Sequence, residues 1–373
     1  MNIACDIRVF LTGETGVGIY FRNLLTGLAA ADRQNRYLLF SSSWKNRFAA
    51  EKLPLFAQRR LVDARVPVRL LNWLWHRFRR PALESFFREE IAVAHSPSPM
   101  ILPCRGRKII TVHDLFFVTD QELVQPESRR YFRARLSESV GHADGIVCVS
   151  QATRSQLLEM FPAAEAKIRV IHHGVAPHFF TASADGEDTR SKYGLPEKYA
   201  LFIGTIEPRK NLPLLLRALR ALKRSAITVP LVIAGSRGWG LSGWRELRDE
   251  LGDQVHEIGY VAEADLPALY RGAHFFVFPS LAEGFGLPLL EAMASGTQVL
   301  CSELPVFREI GGNLPVFFEA GNETDLAAKI DDLWRRDRDG GREERIAHAR
   351  TFTWQESASR HLDFYRHCAK EPR

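Results

Sequence analysis

Two adjacent cations beside a helix start, and two carboxylates eight positions apart around a glycine-rich turn, are the residues here best suited to chemistry. The cations are Arg209 and Lys210, within ALFIGTIEPRKNLPLLL (200–216). An apolar run ends at Gly204, a tight connection follows, and a helix is expected to begin near Asn211. In open α/β sheets, ligands bind beyond the carboxyl ends of strands, which is where this connection falls. Arg and Lys beside the free N–H groups of a helix N-terminus suit a diphosphate. The plain alternative is a solvated basic turn.

The carboxylates are Glu283 and Glu291 in PSLAEGFGLPLLEAMASG (279–296). Pro288 marks a first helical turn, so Glu283 falls on the preceding loop and Glu291 inside the helix. A rise of ~1.5 Å per helical residue, plus the loop, separates them by on the order of 10 Å. That is too wide for an acid/base pair acting on one bond, but suits gripping two ends of a long ligand. The glycines let the backbone N–H groups of Phe285, Gly286 and Leu287 approach that ligand closely. The alternative is a solvent-facing helical Glu291 and ordinary turn glycines.

The elements that must position these residues are short apolar runs alternating with helical patterns. The runs are 2–6, 37–40, 92–96, 108–112, 145–149 and 168–171, then 200–204, 230–234, 255–259, 274–279, 297–301 and 316–318. Continuous Val/Ile/Phe/Leu runs are the mark of parallel strands covered on both faces. Helical stretches fall at 19–31, 151–159, 212–223 and 288–294. The fold class is therefore α/β, doubly wound and repeated twice, as the 373-residue length also favours. The polar stretch 181–193 divides residues 1–180 from 190–350, and 351–373 carries an amphipathic helix expected to cross back to the first domain.

Apolar residues make up 46% and charged residues 25%, ordinary globular usage that argues against disorder. No stretch has the ~18 uncharged apolar residues of a membrane span, and Asp6 and Arg8 interrupt the only apolar N-terminal run. Five scattered cysteines without a CxxC pair suggest reduced thiols in a cytosolic protein and no zinc site. Residues 1–180 carry 25 Lys and Arg against 16 Asp and Glu, whereas the remainder carries 25 against 28. A basic half suggests an anionic partner. Its densest part, 59–88, interleaves Arg59, Arg60, Arg69, Arg77, Arg79 and Arg80 with Leu70, Trp73, Trp75 and Phe78. Such chemistry suits an anionic membrane surface; no nucleic-acid motif accompanies it. The alternative is a helix with Trp and Leu in the core and solvated arginines.

EPRKN (207–211) and EGFGLPLLEA (283–292) together resemble the signature of retaining GT-B glycosyltransferases of family 4, the second being that family's E-x7-E motif. The resemblance extends over nearly the whole chain. It implies two Rossmann-like domains facing a cleft, the first binding the acceptor and the second a nucleotide-sugar donor. Arg209 and Lys210 would hold the donor diphosphate, Glu291 the ribose hydroxyls, and Glu283 would face the transferred sugar. Such enzymes generally need no metal, so neither a metal site nor a cofactor is expected. The one DxD match, Asp337–Asp339, follows no strand. The loop TGETGVGIY (12–20) would close on diphosphate and acceptor, giving Gly16 and Gly18 donor contacts. His113, in ITVHDL, matches a family histidine beside the donor sugar. It would bond a sugar hydroxyl, or stabilise the anomeric carbon through its backbone carbonyl.

With its VHDL strand end, the EPRKN form looks closest to bacterial GDP-mannose-dependent mannosyltransferases; UDP-glucose, UDP-N-acetylglucosamine and dTDP-rhamnose stay open as donors. By analogy the acceptor is a lipid-linked glycan of lipopolysaccharide or exopolysaccharide assembly, met in the cytoplasm at the inner membrane face. A nucleotide-sugar epimerase on the same scaffold and a non-catalytic glycan- or lipid-binding module are the readings from other classes.

Overall fold

The computed structural model describes residues 1–12, 15–46, 53–119, 126–181, 186–239, 243–338 and 340–370. Packing divides the chain into two units. The first comprises Met1–Thr119, Pro126–Gly174 and the chain from Thr353 on, and the second includes Val175–Phe352.

The first unit is built on a parallel sheet of β1 (Asn2–Asp6), β2 (Arg36–Ser42), β3 (Arg59–Ala64), β4 (Val93–Ser96), β5 (Arg107–Val112), β6 (Gly145–Cys148) and β7 (Ile168–Val170), in the order β3-β2-β1-β4-β5-β6-β7. The second holds β8 (Ala200–Ile203), β9 (Leu231–Ala234), β10 (Val255–Gly259), β11 (Phe275–Phe278), β12 (Val299–Ser302) and β13 (Val316–Phe318), also parallel, in the order β10-β9-β8-β11-β12-β13. Both are doubly wound α/β sheets in which strand order reverses once, between β1 and β4 and between β8 and β11. The central strands are mostly buried, and FFVF at β11 is buried throughout, because helices cover both faces.

One expectation is corrected. The tract RRLVDA (59–64) is an edge strand, although its charge hides it among the arginines of 59–88. An edge strand buries little, and β3 is only half-buried along its length. Of the polar stretch 181–193, residues 182–185 lie outside the described residues, and Gly186–Tyr193 is a helix. The change of unit falls at Gly174 and Val175.

Helix Leu212–Arg224 shows why the covering elements form. Leu212, Leu215, Leu216, Leu219 and Leu222 recur at helical spacing and are all buried, while Arg217, Arg220 and Arg224 turn outward. In the first unit, helix Trp354–Lys370 packs on helix Gly16–Ala31. A side chain at Gly27 would come 2.7 Å from the Trp354 carbonyl, so only glycine permits the approach. Among the described residues, no helix is long and apolar enough to cross a membrane. All five cysteines are free thiols.

Candidate active site

Topology alone makes the β8–β11 junction the first place to look, since strand order reverses there and the loops beyond both carboxyl ends diverge. The loop after β8 carries a short 3-10 turn, Pro208–Lys210, and helix Leu212–Arg224 follows. The loop after β11 carries Ser280 to Gly286 and ends in helix Leu287–Ala294. The Leu281 N–H donates to the Arg209 carbonyl at 2.8 Å, fastening one loop to the other. Gly286 has φ +94, and a Cβ there would come 2.8 Å from the Phe307 ring. Glycine is therefore required where the loop turns into the helix.

Arg209, Lys210 and Glu283 meet in one nearly closed ion cluster. Lys210 Nζ lies 2.6 Å from Glu283 Oε1, and Arg209 Nη1 lies 2.7 Å from Glu283 Oε2. Arg209 Nη2 also reaches Glu207 Oε1 at 2.7 Å, and the Ser280 hydroxyl donates to Glu283 Oε1 at 2.9 Å. The Lys210 and Glu283 side chains are each only 9% exposed. Lys210 Nζ also sits 4.7 Å from the centre of the Phe278 ring.

Burial would raise the Glu283 carboxyl. Arg209 and then Lys210 beside it, with hydrogen bonds from Lys210 and Ser280, bring it down to about 2. Burial, aided by Arg209, draws the Lys210 ammonium below its usual range against the pull of Glu283. Two cations thus face two carboxylates. Glu283, which the resemblance places facing the transferred sugar, is here the counter-ion of both cations.

Glu291 lies within helix Leu287–Ala294, and among the described residues no direct contact with Arg209 or Lys210 is seen. Its Oε2 accepts from the hydroxyl of buried Tyr270 at 3.0 Å. Burial raises this carboxyl to about 7; Tyr270 opposes the rise and Glu263 adds to it. Tyr270, in helix Leu266–Gly272, has no sequence signal of its own. The Phe285 side chain is buried and meets Phe352, so only its backbone is available to a ligand; Leu287 is half-buried.

In the first unit, His113 follows the carboxyl end of β5. Its Nε2–H donates to the Pro97 carbonyl at 2.9 Å, which leaves Nδ1 as the acceptor. Burial lowers its imidazole to about 4, so the ring is neutral. Its backbone carbonyl accepts from the Thr153 hydroxyl at 3.2 Å. Gly16 opens helix Gly16–Ala31 in exposed position, whereas the Gly18 N–H is bound by the Thr15 side chain at 3.1 Å. Residues 13–14 of this loop lie outside the described residues.

Behind His113 runs a hydrogen-bond chain that the sequence did not announce. His361 Nδ1–H donates to the Ser357 carbonyl at 2.7 Å, so His361 Nε2 must accept from the Tyr20 hydroxyl at 3.1 Å. Tyr20 then accepts from Thr111 at 3.1 Å, Thr111 from His95 Nε2–H at 2.8 Å, and His95 Nδ1 from Tyr365 at 2.7 Å. Each donor finds one acceptor, and burial keeps both histidines neutral. The Tyr20 ring packs edge-on to His113, centroids 4.8 Å apart, and against His173 at 4.5 Å.

Among the described residues, no three His, Cys, Asp or Glu side chains group as metal ligands. Asp339 of the DxD match lies outside the described residues.

Comparison with known proteins identifies the family and the fold. Residues 15–179 match the family described as Glycosyltransferase Family 4, and residues 185–350 match Glycosyl transferases group 1. The O-antigen chain mannosyltransferase B of Escherichia coli is 32% identical over 285 residues, 74% of each chain. A serotype-specific mannosyltransferase of Escherichia coli, WbdA, is 29% identical over 267 residues, 68% of this chain but 32% of that longer one. Among solved structures, the sucrose-phosphate synthase of Thermosynechococcus elongatus has a TM-score of 0.71 at 21% identity, over 98% of both chains. HepE of Anabaena, solved with UDP and glucose, has a TM-score of 0.73 at 16% identity, over 97% of this chain and 98% of that one. The chain belongs to glycosyltransferase family 4, with the GT-B fold, and is a glycosyltransferase.

Proposed function

We propose that this glycosyltransferase moves a hexose from a nucleotide-sugar to a glycan hydroxyl with retention of configuration, and that the donor is GDP-mannose. The observation that carries the reading is the pairing of Arg209 and Lys210 with Glu283 at the β8–β11 reversal. The donor diphosphate takes over Arg209 and Lys210, and Glu283 turns from counter-ion to sugar contact. Negative charge grows on the diphosphate as the glycosidic bond breaks, so the two cations stabilise the transition state more than the ground state. They supply the charge neutralisation that a metal gives elsewhere, and the reaction needs neither metal nor cofactor. Glu291 accepts from the ribose hydroxyls. Phe285, Gly286 and Leu287 offer backbone N–H groups to the sugar, while Gly16 and Gly18 belong to the loop that closes on the donor.

The titration behaviour limits the roles. Glu283, held near 2, cannot be a general acid at neutral pH, and two cations make it a poor nucleophile. His113 has Nε2 committed to Pro97, so it accepts a sugar hydroxyl proton at Nδ1 and donates none there.

The mannosyltransferase names of the relatives support the donor and a place in lipopolysaccharide or exopolysaccharide assembly. Helix Val68–Phe78 supports peripheral binding of the cytoplasmic protein to an anionic membrane carrying a lipid-linked acceptor. It buries Leu71 and Trp75 but exposes Leu70, Trp73 and Phe78 among arginines. The deciding experiment is thermal unfolding with GDP, UDP, dTDP or ADP. A ligand at 100 times its Kd adds about 2.7 kcal/mol. GDP is expected to stabilise most; preference for UDP or dTDP overturns the donor, and no shift with any overturns the nucleotide-sugar reading. Turnover should survive exhaustive chelation, and a requirement for added Mg²⁺ refutes metal independence.

A further inference from the structure

A cavity of about 870 Å³ lies wholly within the first unit, walled by the end of helix Val68–Phe78, the segment 79–82, the loop before β5 and the end of helix Pro126–His142. Lys108, on its wall, is the second residue of β5, and His113 follows the other end of that strand. Five strand residues place them about 16 Å apart, so the cavity serves a different ligand from the transferred sugar.

Its lining is mixed. Arg79, Arg80, Arg105 and Lys108 bring four cations, while Trp75 and Phe78 supply apolar wall. The acid among the lining residues is Glu138, 3.7 Å from Arg79; Lys108 shares Asp144 with Arg107. Arg80 is exposed and has no ion-pair partner among the described residues. Helix Val68–Phe78 ends on Arg79 with φ +53, a left-handed position where glycine is usual, so an arginine stands at the rim. The same helix carries Leu70, Trp73 and Phe78, 48%, 54% and 54% exposed.

A small anion would fill little of such a volume and leave the aromatic wall uncovered. A headgroup with its first acyl carbons satisfies both parts. We infer that this cavity binds the phosphate headgroup of an anionic membrane lipid, with the phosphate on Arg79 and Arg80 and the glycerol and upper acyl carbons against Trp75 and Phe78. The inference rests on the membrane reading above and assigns that contact a stoichiometric lipid site.

The test uses the full chain with dihexanoyl-phosphatidylglycerol below its micellar concentration, followed by calorimetry. Saturable one-to-one binding is expected, at least tenfold tighter than binding of dihexanoyl-phosphatidylcholine or inorganic phosphate. Arg80→Ala should weaken it about tenfold. Ser85→Trp, on the cavity wall, should block it without changing charge. Both variants should keep the wild-type thermal shift with nucleotide, which certifies their fold. Unchanged lipid affinity in both variants overturns the site, as does phosphate binding as tightly as the lipid, or an oligonucleotide competing for the same variants. Flotation with phosphatidylglycerol vesicles separates the two readings. Trp73→Ser should reduce flotation yet keep short-chain lipid binding. No flotation by the wild type, with short-chain binding intact, refutes membrane docking and leaves the cavity assignment standing.

Discussion

Each unit buries a polar network near the carboxyl ends of its strands, and the two networks are opposite in kind. In the first, Tyr365, His95, Thr111, Tyr20 and His361 form a neutral chain in which every hydrogen has one destination. In the second, Arg209 and Lys210 face Glu207 and Glu283 as ion pairs. A neutral chain with a fixed direction has one arrangement, so it locks helix Trp354–Lys370, helix Gly16–Ala31 and the sheet behind His113. A compact ion cluster can trade one anion for another of like charge, which is what accepting a diphosphate requires. One network has a single arrangement; the other, in the proposed reaction, would exchange its carboxylate for the donor diphosphate.

The largest effect should come from breaking the exchangeable network. Lys210→Ala is expected to lower turnover on nucleotide-sugar by roughly 10²–10³-fold, the scale of a lost transition-state donor. It also leaves Glu283 short of one cation, at a cost of about 3–5 kcal/mol for a broken buried pair. Thermal unfolding must therefore accompany the kinetics, and a folded variant with wild-type turnover removes Lys210 from the diphosphate. Glu283→Gln sharpens the point in the opposite direction. It frees both cations of a competitor, so affinity for free nucleoside diphosphate should rise severalfold while turnover falls. Weaker binding to this variant would mean that Glu283 does not compete with the phosphates.

The neutral network should fail in acid. Burial holds His361 in the chain, and His113 packed on Tyr20 beside it, near 4 in the fold, whereas unfolded histidine titrates near 6.5. Below about pH 6.5 the unfolded chain binds more protons, so the stabilisation is complete above that value and is lost as pH falls toward 4. Each histidine contributes at most about 3 kcal/mol. Hydrogen exchange in helix Trp354–Lys370, corrected for intrinsic pH dependence, should accelerate across that window. His361→Gln, which does not titrate, should accelerate less. Equal pH dependence in the two proteins would show that the chain does not gate this helix.

How much of this was legible follows from where the information sits. Arg209, Lys210, Glu283 and Glu291 stand next to strand ends and helix starts that glycines and prolines punctuate, so local pattern located them. The partnership of Lys210 with Glu283 crosses 73 positions and depends on β8 lying beside β11, an adjacency that no run of residues announces. Tyr20 and His361 are 341 positions apart and meet only because helix Trp354–Lys370 lies on helix Gly16–Ala31. The strand at Arg59–Ala64 escaped because an edge strand can carry charge where a central one cannot. The basic tract itself divides, with Trp75 inward and Trp73 outward, a distinction that composition cannot make.

The smallest expected effect concerns Glu291, which belongs to neither network. Its carboxyl, raised to about 7 chiefly by burial, is about half protonated at neutral pH. In the proposed donor complex only the carboxylate would accept from both ribose hydroxyls, so nucleotide affinity should strengthen as pH rises. With a midpoint near 7, the ionised fraction falls about tenfold between pH 8 and pH 6, and Kd should weaken by the same factor. The nucleotide's own phosphate also titrates in this range, so the informative quantity is the difference from Glu291→Gln, which should lack the carboxylate component. Tyr270→Phe removes the hydrogen bond that opposes the rise. Its midpoint should move upward and its affinity at pH 7 fall a fewfold, with the alkaline plateau kept. Matching pH profiles in wild type and Glu291→Gln would detach this residue from the ribose, and the two acids would no longer be gripping opposite ends of one donor.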